Sequence, residues 1–155
     1  MDKITYRNAT PADASAISTM LDALVAAGKR TLPADPEFVL TRYIAAPNGI
    51  SCTVAVGAGG RILGVQPLSR ALDENPYGTP VGWGIIGTHV APDAARLGIG
   101  RGMFQQSLAA ARDAGLTDIE AFIGSDNEAA LTYYEAMGFR TWREAPGRTP
   151  KRLRL

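Results

Sequence analysis

Three glycines at alternate positions, Gly98, Gly100 and Gly102, stand where a strand-like segment gives way to a helical pattern. Pro92 ends the strand-like segment, and apolar residues recur at helical spacing after the glycines. The first backbone N–H groups of a helix have no partner inside the helix, so this turn is suited to binding phosphate. Tight packing is the competing interpretation of the same glycines.

The other elements place this turn in an α/β chain. Predicted helices begin at the capping-box patterns Thr10–Asp13 and Ser125–Glu128 and at Asp35, and the glycine-rich turn opens another. The predicted strands cover residues 4–7, 50–56, 61–68, 81–90 and 116–123, with two short strands in 140–155. The glycines within 81–90 suggest a bulge or a place where another group approaches the backbone closely. This order predicts one mixed sheet with helices on both faces.

Length and charge limit the classes of function. The chain has 155 residues, 46% of them hydrophobic, and a formal net charge of +1. We therefore expect one globular domain over residues 1–155, with neither nucleic acid nor membrane as a partner. Cys52 is the single cysteine, which favours a reducing compartment, and no apolar run is long enough to span a bilayer. We expect a cytoplasmic protein without a metal site.

Two arginines, Arg96 and Arg101, flank the glycine turn and favour a ligand with several phosphates. The glycine spacing fits neither the P-loop pattern nor the Rossmann fingerprint, which disfavours ATP and NAD. A second motif lies further along the chain, in the order Asn127, Ala130, Tyr134, Gly138, Phe139. Spacing alone would make Tyr134 a core residue of a helix.

Taken together, the two motifs resemble the GCN5-related N-acetyltransferase (GNAT) family. The family pattern Arg/Gln-x-x-Gly-x-Gly/Ala corresponds to residues 95–100, and Asn-x-x-Ala-x-x-x-Tyr-x-x-x-Gly-Phe corresponds to residues 127–139. The opening segment 7–13 is also similar to that of the family. The resemblance implies an α/β GNAT-like fold. Such a fold has a single central, mixed and strongly twisted β-sheet with helices on both faces and a V-shaped split between the fourth and fifth strands.

The resemblance also implies a single acyl-CoA N-acyltransferase domain that uses acetyl-CoA as co-substrate without a metal. Acetyl transfer to a primary amine would proceed by direct nucleophilic attack, with Tyr134 as the proton donor to the leaving thiolate. Asn127 would contact the cofactor arm or fix the local backbone. The implied cofactor-binding residues are Thr88, His89, Val90, Arg96, Leu97, Gly98, Ile99, Gly100, Arg101, Gly102, Asn127 and Tyr134.

One departure from the family pattern is Ala95, which stands at the motif's first position, and Arg96 is the neighbour available to compensate. The other concerns the general base. Strand alternation places Gly84, Ile86 and Thr88 on the relevant face, and none of them titrates usefully. In a regular strand His89 points to the opposite face, which favours a structural role, and a bulge would reverse that. The remaining options are a water chain to Asp73, Glu74 or Glu120, or capture of the neutral amine.

The acceptor is unidentified, and a small-molecule amine is the main expectation. The alternatives are a protein N-terminal or lysine acetyltransferase, and a non-catalytic acyl-CoA-binding or sensing module. Trp83 and the loop 73–77 are expected to line the acceptor side, and a homodimer is possible because dimers are common in the family. The basic segment 151–155 alternates like an edge strand with solvated charges.

Overall fold

Eight strands and four α-helices form the part of the chain that the computed structural model describes, residues 3–155. The helices are α1 (Ala14–Ala26), α2 (Pro36–Val39), α3 (Ile99–Asp113) and α4 (Glu128–Ala136). The strands are β1 (Thr5–Asn8), β2 (Gly49–Val56), β3 (Ile62–Arg70), β4 (Gly84–Ile86), β5 (His89–Val90), β6 (Asp118–Gly124), β7 (Arg140–Thr141) and β8 (Arg148–Arg154).

All eight strands belong to one open sheet in the order β1-β2-β3-β4-β6-β8-β7, and β5 pairs with β3 beyond β4. The β4–β6 pair is parallel and the other pairs are antiparallel. The predicted mixed sheet with flanking helices is therefore confirmed, including the β2–β3 hairpin.

Apolar side chains on both sides of this sheet form the core. One cluster joins α1 to β2 and β3 through residues such as Ile17, Leu21 and Val54, all fully buried. The other joins α3 and α4 to β6 and includes Ile119 and Phe139, also fully buried. Each such side chain contributes roughly 1.5–3 kcal/mol when it is fully removed from water. This core holds the strands and helix termini that form the candidate site.

Helix α2 is shorter than predicted. Asp35 caps it by accepting a hydrogen bond from the Phe38 backbone N–H at 3.1 Å. After Val39 the chain continues as a π-helical turn, Leu40–Ile44, which carries Tyr43. Because such turns are often found at functional sites, Tyr43 is a candidate site residue.

Of the two predicted capping boxes, the one at Thr10 is present and the one at Ser125 is not. The capping box at Thr10 is present, and Asp13 accepts hydrogen bonds from the Thr10 backbone and from Arg7. The bond from Arg7 is the main cause that lowers the pKa of Asp13 to about 2. The second predicted box, at Ser125, is wrong, because Asn127 is the N-cap of α4 and accepts from the Ala130 N–H at 3.1 Å.

The basic C-terminal segment is not an edge strand, so that prediction is also wrong. Strand β8 lies between β6 and β7, and β7 forms the edge. Lys151 is buried and donates hydrogen bonds to Thr141 and Glu135. Of the basic residues in this segment, Lys151 is therefore buried, Arg152 is half-buried and Arg154 is exposed.

The described residues contain neither a helix that could span a membrane nor a cluster of candidate metal ligands. None of the helices in residues 3–155 combines the length and apolar character that crossing a bilayer requires. Across the same residues, no three His, Cys, Asp or Glu side chains gather as metal ligands would. Cys52 is buried, and burial raises the pKa of its thiol to about 12, so it packs as a small apolar residue.

Candidate active site

The sheet opens into a split between β5 and β6. Strand β4 pairs with β6 only at Gly84–Ile119 and Ile85–Glu120. Beyond these pairs β5 is joined to β3, while β6 continues along β8 as far as Gly124. The facing backbone edges of β5 and β6 therefore have no strand partner within residues 3–155. The predicted fourth strand corresponds to β4 and β5, and the predicted fifth strand corresponds to β6. This is therefore the V-shaped split that the resemblance implies.

The gap between β4 and β5 is not a bulge, contrary to expectation. The pairs Leu68–Ile86 and Val65–His89 follow one continuous register along β3. The ladder is interrupted because Pro67, which accepts from the Gly87 N–H at 3.1 Å, has no N–H to donate in return. Residues 81–83 lie before the strand, so the predicted strand is correct only in its second part.

Because the register is continuous, neighbouring side chains on this edge point to opposite faces. Thr88 contacts Tyr134 of α4. His89 points the other way, where its Nε2 lies 3.4 Å from the Tyr43 hydroxyl and its ring stacks on Tyr43 at 5.8 Å between centroids. The expectation for His89 in a regular strand is therefore met. A contact of His89 with a cofactor in the split would come through its backbone.

The turn before α3 has the geometry expected of an anion-binding helix terminus. Gly98 is the N-cap, its φ of 74° lies in the left-handed region, and no side chain caps the helix. Arg96 also has a positive φ, 68°, and both Arg96 and Arg101 are exposed without an ion pair in the described chain. The first N–H groups of α3 and two guanidinium groups are thus available to a phosphate.

The other two glycines of this turn are required for packing. A Cβ on Gly100 would lie 2.6 Å from the Tyr133 ring, and a Cβ on Gly102 would overlap the Tyr6 ring. Nothing lies within 4 Å of a Cβ on Gly98, so only its backbone conformation favours glycine there. The packing interpretation is therefore confirmed for Gly100 and Gly102, and phosphate binding by the turn stays a prediction.

The remaining predicted cofactor residues lie around the same turn. Leu97 is exposed, whereas the Ile99 side chain is in the core, so Ile99 offers only its backbone. Val90 lies at the end of β5 and pairs with Gly64. The Asn127 side chain is bonded to its own helix, which agrees with a role in fixing the local backbone.

Tyr134 is buried, and its hydroxyl lies 2.6 Å from Thr88 Oγ1. Gln66 Nε2 donates to Thr88 Oγ1 at 2.9 Å and to the Tyr133 hydroxyl at 3.0 Å. Ser107 in turn donates to Gln66 Oε1 at 2.6 Å. A connected polar network therefore joins β3, α3 and α4 to Thr88, which lies between β4 and β5 beside the split.

The Thr88 hydroxyl oxygen accepts from Gln66 and keeps a second lone pair, so either hydroxyl can donate in the Thr88–Tyr134 hydrogen bond. When Thr88 is the donor, the Tyr134 proton is uncommitted. Burial raises the pKa of the Tyr134 phenol, so it stays protonated at neutral pH.

The acetyltransferase (GNAT) family model matches residues 18–139 of the chain. The chain belongs to the GNAT family.

Known structures agree on the fold of this GNAT chain. The GNAT domain of S. lividans PAT has a TM-score of 0.81 and 16% identity, over 99% of this chain and 97% of that one. A GNAT acetyltransferase from Brucella melitensis, solved in complex with acetyl-CoA, has a TM-score of 0.71 and 24% identity, over 99% and 88%. A mycothiol acetyltransferase from Paenarthrobacter aurescens (strain TC1) is 29% identical over 89 residues. That match covers 57% of this chain and only 27% of the relative's length.

Sequence reasoning missed Gln66, Ser107 and Tyr133 of this GNAT site. Gln66 was the one available signal, because it is a lone amide within an otherwise apolar strand, and a buried amide there needs polar partners. Its partners could not be read from the sequence, since Tyr133 lies on a distant helix.

Glu120 does not serve as the base, so that option is wrong. The residue is fully buried, and its oxygens accept hydrogen bonds from Thr79, Trp142 and, twice, Arg143, at 2.6–3.0 Å. A carboxylate with four hydrogen bonds has no lone pair left for a proton from an amine. Arg143 also donates to the Tyr77 carbonyl at 2.8 Å, so Glu120 secures the loop that carries Tyr77.

The other acceptor-side predictions are partly placed by the structure. Tyr77 packs against Phe122 of β6, beside the split, with ring centroids 5.4 Å apart. Trp83 instead packs on Trp142, at 4.9 Å. Asp73 and Glu74 are exposed in the same loop.

Proposed function

We propose that this protein is an acetyl-CoA-dependent N-acetyltransferase that acts on the primary amine of a small molecule. The observation that carries the proposal is the Thr88–Tyr134 hydrogen bond, which holds a protonated phenol beside an unpaired strand edge. Membership of the GNAT family supports the same reaction class.

The residues present fit acetyl-CoA. The backbone of residues 97–102, with Arg96 and Arg101, would hold the pyrophosphate, and the free edge of β5 would bind the pantetheine arm through its N–H and C=O groups. Bound acetyl-CoA would supply the acetyl group as an activated thioester. The name of the mycothiol acetyltransferase relatives supports a small-molecule acceptor.

In this proposal Tyr134 is the general acid. We propose that Thr88 is the donor in the 2.6 Å hydrogen bond with the phenol, which leaves the Tyr134 proton for the departing sulfur. Gln66 fixes Thr88 in turn. General acids of this kind contribute about 10²- to 10⁴-fold to the rate.

The amine proton has no dedicated acceptor on the Thr88 face. Gly84, Ile86 and Thr88 cannot take it, and on the other face Glu120 is saturated with hydrogen bonds. We therefore propose that the amine enters in its neutral form. After the attack the nitrogen still loses one proton to become the amide, and this proton, passed through solvent to the Tyr134 phenolate, replaces the one that Tyr134 gives to the departing thiolate.

The test is steady-state release of CoA with a panel of amines, for the wild type and Tyr134→Phe. We expect Tyr134→Phe to lower kcat by about 100-fold or more while the thermal shift with acetyl-CoA persists. Tyr133→Phe is the comparison variant: it removes the hydroxyl of the adjacent residue of α4, which bonds Gly100 O and accepts from Gln66, and we expect it to lower kcat less than Tyr134→Phe does. Equal kcat values for wild type and Tyr134→Phe would refute the role of Tyr134.

A non-catalytic acyl-CoA-binding module is the second candidate, and the lack of a free base favours it. The same assay separates the two. A thermal shift with acetyl-CoA, but not with ATP or NAD, and no turnover on any amine would support the binding module. Turnover only on peptides with a free N-terminus or lysine would point to a protein acetyltransferase.

A further inference from the structure

Arg30, in the loop between α1 and α2, is a buried cation without a counter-charge. Its exposed fraction is 7%, and its Nη2 donates to the Pro33 carbonyl at 2.6 Å and to the Tyr43 hydroxyl at 3.2 Å. Its Nε and Nη1 are buried without any hydrogen-bond partner. Within residues 3–155 it forms no ion pair.

A guanidinium in this state is unfavourable in a purely structural role. Removing a charge from water costs free energy that only an opposite charge or well-formed hydrogen bonds offset. The rings of Phe38 and Tyr43 lie 5.7 and 5.9 Å from the guanidinium carbon, and such contacts offset only part of that cost. The unused Nη1 and the partly used Nη2 form the planar end of the guanidinium, and such a fork matches the two oxygens of a carboxylate.

Arg30 is connected to the split through two side chains. The Tyr43 hydroxyl that accepts from Arg30 also contacts His89 Nε2, at 3.4 Å, and His89 belongs to β5. This is the face of the sheet opposite Thr88 and Tyr134. An acceptor approaching the split from this face would thus meet Tyr43 and His89 with Arg30 behind them.

The β6 side of the same face is also cationic and aromatic. Phe122 has the exposed Arg148 above its ring, at 5.7 Å from the centroid, and Tyr77 beside it. Arg148 forms no ion pair in the described chain, whereas Arg143 is neutralised by Glu120. Arg30 and Arg148 are thus two cations on this face that form no ion pair in the described chain, and the exposed Asp73 and Glu74 are the carboxylates of the loop that carries Tyr77.

We infer that the acceptor is a small amine that also carries a carboxylate, as an amino acid does, and that Arg30 binds this carboxylate. The inference rests on the proposed acetyltransferase function and names its substrate class. The carboxylate takes the place of the Tyr43 hydroxyl on Nη2 and also occupies Nη1, which gives the buried charge its partner. Arg148 adds attraction at the opening.

The experiment compares matched pairs of amines with the full-length chain. The standard L-amino acids are assayed for acetyl-CoA-dependent transfer beside their decarboxylated counterparts, such as L-phenylalanine with phenethylamine and L-leucine with isoamylamine. We expect kcat/KM to be at least about 10-fold higher for the carboxylate-bearing member of a pair, as for a hydrogen bond to a charged group.

Arg30→Met tests the residue, and Arg42→Met is its control. Arg42 also lies over the Phe38 ring, at 5.6 Å, but it is exposed. We expect Arg30→Met to lower kcat/KM for the amino acid by about 10- to 100-fold and to leave the decarboxylated amine unaffected. We also expect its Tm to be equal to or above that of the wild type, because the unpaired charge is removed. Arg42→Met should change neither the kcat/KM for the amino acid nor the kcat/KM for the decarboxylated amine.

The outcomes separate this inference from the proposed function. Equal or better transfer to the decarboxylated amines would overturn the inference and leave the acetyltransferase function standing. A fall in Tm with equal losses on both members of a pair would show that Arg30 is structural and would also overturn it. No transfer to any amine would overturn the proposed function and the inference with it.

Discussion

His89 makes the stability of this fold depend on pH in the mildly acidic range. Burial, with a smaller contribution from the Arg30 charge, lowers the pKa of His89 from 6.5 to about 3 in the folded chain. Between these values the unfolded chain binds a proton that the folded chain does not. The free energy of unfolding therefore falls as the pH drops below 6.5.

The size of the effect follows from the pKa difference. At pH 5 the unfolded state gains about 2 kcal/mol from protonation of this one histidine, at 1.36 kcal/mol per pH unit. For a domain of this length that corresponds to a decrease in Tm of about 4–8 °C. Asp13, whose folded pKa is about 2, loses its stabilising effect as the pH falls through its ordinary value of 3.8, which lies below pH 5.

The assay is a thermal melt of wild type and His89→Gln at pH 8 and pH 5. Gln cannot take up the proton, so we expect the wild type to lose about 4–8 °C more than the variant between the two pH values. Parallel decreases in the two proteins would refute the reasoning, because they would show that His89 titrates equally in the folded and unfolded chains.

Two further substitutions test the packing of the site. Gly102→Ala should lower the free energy of unfolding in a urea melt by about 1–3 kcal/mol, because the added Cβ would overlap the Tyr6 ring. Adding Tyr6→Ser to the Gly102→Ala chain should restore part of that loss. Glu120→Gln should lower the free energy of unfolding by about 3 kcal/mol because it leaves Arg143 unpaired. The exposed control Glu144→Gln should change it by no more than about 0.5 kcal/mol. Equal effects of the two substitutions would refute the importance of the buried Glu120–Arg143 pair.

The sequence predicted those parts of the fold that local spacing determines. The hairpin, the helix starting at the capping box of Thr10 and the glycine turn before α3 all follow from residues close together in the chain. The role of Gly102 did not follow, because the Tyr6 ring that forbids a Cβ there comes from β1. Spacing identifies a glycine and topology decides what it contacts.

The errors have similar causes. Ser125 and Asn127 both suit an N-cap by residue type, and only the path of the chain after β6 selects Asn127. The tail was mistaken for an edge strand because alternating charges are typical of edges. In this fold Lys151 finds Thr141 and Glu135 across the sheet, which a single strand cannot reveal.

The split itself weakens the sheet, and buried polar groups on both faces compensate for it. Only two residue pairs join β4 to β6. On one face the Gln66 network links β3 and Thr88 to α3 and α4, and on the other Glu120 links β6 to Thr79 and Arg143. A closed sheet would need neither set of buried polar residues. Their presence beside the split is what a sheet requires if it is to keep two strand edges open for a ligand.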